Sequence, residues 1–135
     1  MKNAIRSVLL LLALSAVVIS SSSFTPGKNP PQIKFVKLIH DFGVMKPGEK
    51  KTCDFVFSNT GDEPLKILSA KSGLDFIKVE YPTTPIKKGG KESIKVTFDA
   101  PGKAGQFNKT ILIDSNSSGT SSQVRVTVKA LISKE

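Results

Sequence analysis

One histidine, His40, and one cysteine, Cys53, set the limits of the chemistry open to this chain. A metal site built on a histidine pair is out of reach, and any imidazole base has to be His40 itself. Its neighbour Asp41 projects to the opposite side of an extended backbone, so the two make no simple dyad. No nucleophile motif accompanies them, and His40 reads as a structural or surface residue. Cys53 alternates in phase with Phe55 and Phe57, as a small buried hydrophobe does. The competing reading is a reactive thiol or a disulfide to a partner, since a lone thiol in an oxidising compartment invites pairing. Asp62, Glu63 and Asp99 offer carboxylates, but not at calcium-ligand spacing. The expectation is a protein that is not an enzyme, with no catalytic, cofactor-binding or metal residues and no cofactor.

The segments that carry these residues start with an export signal. Lys2 and Arg6 precede an apolar run from Val8 to Ile19. A run of about a dozen residues fits a signal-peptide core and falls short of the roughly 20 that span a bilayer. Ser20 to Ser23 then supply small residues for cleavage near Ser22 or Ser23. Residues 1–23 therefore read as a cleavable signal peptide, with an uncleaved anchor as the alternative. No cysteine follows the run, so a lipoprotein is not expected. The expected location is periplasmic or extracellular, with no membrane span in the mature form.

Residues 24–32 include Thr25-Pro26-Gly27-Lys28-Asn29-Pro30-Pro31 and read as an extended linker. Residues 33–133 are left for one domain, the usual size for a single core. The net charge is +9, and +7 once Lys2 and Arg6 are removed. Lysine carries nearly all of it, and after cleavage Arg125 is the one arginine. Arginine is favoured where phosphate or base edges must be gripped, whereas scattered lysine solubilises strand faces. A nucleic-acid partner is not expected.

No long stretch has helical periodicity; alternation with a period of two recurs instead, broken by Gly, Pro, Asn and Asp. Ile33 to Ile39 opens as a strand with a break near Gly43. Lys46-Pro47-Gly48-Glu49 turns the chain. Cys53, Phe55 and Phe57 then share a face, opposite Thr52, Asp54 and Ser58. Strands follow at Leu65–Leu68, Phe76–Tyr81, Ser93–Phe98, Phe107–Ile113 and Val124–Ala130. Seven strands with no helix make an all-β, immunoglobulin-like sandwich, without the Cys…Trp…Cys mark of antibody domains. The expected core surrounds Cys53, Phe55, Phe57, Ile94, Val96 and Phe98.

Several motifs occur in a fixed order: His40-Asp41-Phe42-Gly43, Pro47-Gly48-Glu49, Phe57-Ser58-Asn59-Thr60-Gly61-Asp62 and Pro64-Leu65-Lys66-Ile67. Tyr81-Pro82, Gly89-Gly90, Ile94-Lys95-Val96-Thr97-Phe98, Gly105-Gln106-Phe107 and Asp114-Ser115-Asn116 continue it. In this order the chain resembles the bacterial family of domain of unknown function 1573 over about residues 33 to 132. The resemblance implies an immunoglobulin-like fold related to major sperm protein, pilus-chaperone and cilium-associated domains, and it brings no catalytic residues. Many members carry Cys-Gly-Cys before the Tyr-Pro step. Here Leu74-Asp75-Phe76 stands there, expected as an apolar pair on one face of a strand. The glycines at 43, 48, 61 and 105 are expected at positive φ, and Asn59 is expected to close a turn through its side chain.

The function expected is a secreted, non-catalytic binding or structural module that engages protein partners through sheet edges or loops. The expected edges are the opening strand, Ile33–Ile39, and the final strand, Val124–Leu131. The competing expectation is a lysine-rich module that binds acidic glycan or an anionic envelope surface.

Overall fold

Eight strands run through residues 28–134, the part of the chain that the computed structural model describes. One sheet is ordered β1 (Ile33–Phe35), β3 (Lys50–Asn59), β6 (Lys91–Asp99), β5 (Ile77–Glu80). The other is ordered β2 (Ile39–Met45), β8 (Gln123–Ile132), β7 (Gly105–Ser115), β4 (Ile67–Lys71). A 3-10 turn at Gly119–Ser122 leads into β8. The signal-peptide reading of residues 1–23 lies outside the described residues.

The all-β sandwich is as expected, with eight strands in place of seven. The difference is the opening strand, which divides between the sheets. Val36 N–H still donates to Val56 O (3.0 Å), while Leu38 O already accepts from Thr127 N–H (2.8 Å). The break expected near Gly43 is instead a bulge, and β2 runs through it to Met45. The final strand is not an edge. β8 lies between β2, which it pairs in parallel, and β7, which it pairs antiparallel. The crossing of β2 into this sheet is what covers it.

The core forms where the inward faces of the two sheets meet. Cys53 pairs in register with Val96 and Phe55 with Ile94, and these four are buried with Phe57 and Phe98. Ile111, Ile113, Val126, Val128, Met45 and Ile132 face them from the second sheet. Each such side chain contributes about 1.5–3 kcal/mol of burial, so packing alone can hold a domain without a disulfide.

One buried polar residue ties the β1 end together. Asn59 is 1% exposed, and its Oδ1 accepts from Gln32 N–H (3.2 Å) and Gly61 N–H (3.0 Å). Its Nδ2 donates to Glu63 O (2.8 Å) and Ile86 O (2.9 Å). All four hydrogen-bonding positions of the amide are used, which is what burial of an amide requires. The described part of the segment read as linker is fastened beside it: Asn29 O accepts from Asp62 N–H, and Pro31 O from Ser118 N–H. Gly61 is needed here for close approach, since a Cβ at that position would overlap the Pro30 carbonyl oxygen. Gly43, Gly48 and Gly105 have the positive φ expected of them, but Gly61 does not.

Candidate functional site

The two most reactive side chains, His40 and Cys53, are each tied into the fold, one by a hydrogen bond and one by burial. His40 sits half-buried on β2, its ring 4.6 Å from that of Phe42 in an edge-on arrangement. Its Nδ1 lies 2.9 Å from Lys37 Nζ. A lysine ammonium has only donors, so Nδ1 accepts and the ring proton is assigned to Nε2. Burial and the Lys37 charge hold the imidazole below its ordinary value, against the opposing pull of Asp41. Asp41 points to the other face, as expected, and its Oδ1 accepts from Gly43 N–H (2.8 Å). Cys53 is buried, and desolvation pushes its thiol up to about 11. That is the opposite of what a thiolate nucleophile needs. Among the described residues, no three His, Cys, Asp or Glu side chains come together.

A few of the lysines face carboxylates. Lys95 stands in register with Asp54 on one side and Glu80 on the other, and Lys50 is opposite Asp99. Lys88 Nζ is 2.7 Å from Asp62 Oδ1.

Exposed apolar side chains gather on one narrow side of the sandwich, where β1 passes into β2, while Leu68 on β4 is exposed singly at the other side. The crossing residues Val36 and Leu38 are 80% and 49% exposed, and Ile39 beside them is 54% exposed. Val36 continues the β1–β3 register onto Val56, itself partly exposed. Around the corner, Val44 and Leu131 form an exposed pair across β2 and β8. The β2 edge is open. In a parallel ladder alternate residues turn both backbone groups to the same neighbour. Leu38 O bonds Thr127, so Ile39 and Asp41 turn their N–H and C=O away from β8, toward solvent.

The bulge shapes the lower half of this edge. Between Asp41↔Lys129 and Val44↔Leu131, β2 carries one residue more than β8. Asp41 Oδ1 closes the kink, Gly43 supplies φ +73°, and Lys51 Nζ donates to Phe42 O (3.3 Å) from the facing sheet. The extra residue resets the alternation, so Phe42 and Met45 face the core and Val44 faces out. A shallow hollow of about 270 Å³ lies on the outer sheet face beside it, between Asp41, Val44, Gln106, Lys129 and Leu131.

A family model described as "Protein of unknown function (DUF1573)" matches residues 33–131. The chain belongs to this family. Comparison with curated proteins gave no match. Among solved structures, a protein of unknown function from Porphyromonas gingivalis W83 is 22% identical, with a TM-score of 0.66 over 76% of this chain and 47% of that one. The chain thus spans about half the length of that protein. The ASH / PapD-like domain of human CEP192 is 12% identical, with a TM-score of 0.58 over 77% of this chain and 87% of that one. The C. elegans MSP family member WR4 is 14% identical, with a TM-score of 0.51 over 76% and 98%. At these identities the likeness is one of fold.

In this DUF1573 domain the recurring motifs turn out to be structural devices. His40-Asp41-Phe42-Gly43 is the edge bulge, and Phe57-Ser58-Asn59-Thr60-Gly61-Asp62 is the end of β3 with the Asn59 clasp. Leu74-Asp75-Phe76 is not on a strand, a correction to the expected apolar strand pair. It forms the turn before β5, and Leu74 and Phe76 pack half-buried against the core. Ser72 Oγ organises that turn, accepting from Leu74 N–H (3.1 Å) within reach of Ile77 O (3.1 Å). The exposed Val36, Leu38 and Val44 escape a reading by alternation. Their one signal is the slip of phase in Phe35-Val36-Lys37-Leu38-Ile39, which a single strand cannot bury on one face.

Proposed function

We propose that this domain is an exported, non-catalytic binding module that engages a protein partner through its β1/β2 side. The observation that carries this reading is the exposure of Val36, Leu38 and Ile39 beside backbone groups that face solvent. Contiguous exposed apolar residues on a soluble domain mark interaction surfaces, and an open strand edge adds directional hydrogen bonds. Export to the periplasm or cell surface is supported by Lys2, Arg6, the Val8–Ile19 run and the serines after it. The non-catalytic reading is supported by the occupied His40 and the raised thiol of Cys53. The exposed apolar side chains and the open strand edge favour a protein partner over an acidic glycan or anionic surface.

The test is chemical crosslinking in cells that make the full chain, comparing it with a Val36→Asp, Ile39→Lys variant. A discrete protein adduct that the variant loses, and that survives raised salt, is the expected result. Binding retained by the variant and abolished by salt would replace this reading with the polyanion one.

A further inference from the structure

The hydrogen-bonding groups of the open side, its charge and its bulge together restrict what can dock there. We infer that the β2 edge takes a short extended segment of another protein, carrying both acidic and apolar side chains, paired on Ile39–Asp41 and ending at the bulge. This rests on the reading that the β1/β2 side binds protein, and it specifies the chemistry of the partner.

The backbone argues for an extended segment. Ile39 and Asp41 each present one free N–H and one free C=O on the same edge, which is the pattern a further strand satisfies. The bulge argues for a short one. Beyond Asp41 the edge kinks at Gly43, and the Asp41 side chain holds the Gly43 N–H. The ladder therefore cannot be extended in register, which is how natural edges avoid open-ended pairing.

Charge argues against a second copy and for an acidic partner. Lys34 and Lys37 are exposed at this side and Lys129 is half-exposed, three ammonium groups that outweigh the nearby Asp41 carboxylate. Two exported copies, each with a net charge of +7 once Lys2 and Arg6 are removed, would bring these lysines together. The apolar content follows from what lies beside the edge: side chains of the docked segment meet the exposed Val36, Leu38 and Ile39 or lean over Gly43 toward the hollow. Gly43 leaves that route clear, because it has no side chain of its own.

The experiment selects binders to the full chain from a random library of eight-residue peptides, then maps and perturbs the site. Enriched peptides should be rich in acidic and apolar residues and should slow amide exchange at Ile39 and Asp41. Ile39→Pro removes an N–H that faces solvent and leaves the β8 ladder intact, so it should weaken binding roughly fivefold to tenfold, the worth of about one hydrogen bond. Ile39→Val keeps the N–H and should bind within about twofold. Should Ile39→Pro fail to fold, the exchange footprint on the unaltered chain decides. Protection confined to β4 or β5, or no acidic preference among the binders, would overturn the inference. So would an empty selection alongside a Val36- and Ile39-dependent crosslink in cells, which would leave the broader protein-binding reading standing.

Discussion

Both narrow sides of the sandwich consist of a short edge strand from each sheet and a segment that crosses between them. On the β4/β5 side the crossing is residues 72–76, and it folds back on the molecule. Phe76 sets its ring edge-on to Phe98 and Phe107, at centroid distances of 5.7 and 6.0 Å, and Leu74 packs beside it. On the β1/β2 side the crossing is residues 36–38, and Val36 and Leu38 point out. Length explains the contrast. Sheets pack about 10 Å apart, and three extended residues reach about 10 Å. The shorter crossing spends its whole reach on the gap, whereas the longer one has slack to turn apolar side chains inward. The lesson is that the two crossings are not equivalent: one turns its apolar side chains inward and the other leaves them exposed, although the β4 edge also exposes Leu68.

The contrast breaks most completely if the open side loses its anchor. Asn59→Ala removes four hydrogen bonds and strands the Gln32 and Gly61 N–H groups next to the core. It should cost about 4 kcal/mol, read from denaturant unfolding, and should raise amide exchange at Asn29, Gln32 and Ile33 first. The next largest effect separates the two sides directly. Phe76→Ala should cost about 2 kcal/mol, the value for a large side chain that is only half buried, while Val36→Ala should stay within about 0.5 kcal/mol. Equal costs would mean that the sides do not differ as described. Gly43→Ala places a side chain at φ +73° and should cost about 1 kcal/mol. Loosening of β2 below Asp41, seen by exchange, should accompany it.

The smallest effect is electrostatic. His40 is held below its ordinary 6.5 by burial and by Lys37. The unfolded chain therefore takes up the proton first as pH falls. The contribution of His40 to stability is complete above pH 6.5 and is lost as pH drops through the lowered folded value. Titration of the His40 ring by NMR should give a midpoint below 6.5, and Lys37→Gln should move that midpoint up.

Much of the fold is legible from alternation, because a sandwich buries one face of each strand. Cys53, Phe55 and Phe57 with Ile94, Val96 and Phe98 are read correctly for that reason. The same logic hides the place of β8. Val126, Val128 and Ala130 inward with Arg125, Thr127 and Lys129 outward looks alike at an edge or in the middle. Side-chain alternation records which face is buried and says nothing of who pairs on either flank. The division of Ile33–Ile39 escaped because each half is short, and only the phase slip at Phe35-Val36 and Leu38-Ile39 records it. Gly61 escaped because its requirement comes from Pro30, thirty-one positions earlier in the chain. The open side itself was half legible: the opening strand was expected at an edge, but its exposed residues depend on where the crossing falls.

The central claim, that the β1/β2 side is the one used, is tested most directly by site-specific photocrosslinking in cells. A photoreactive amino acid replaces Ile39 in one version of the full chain and Lys78, exposed on the β5 edge, in another. The account predicts a discrete protein adduct from position 39 and none from position 78. An adduct from position 78 with none from position 39 would contradict it.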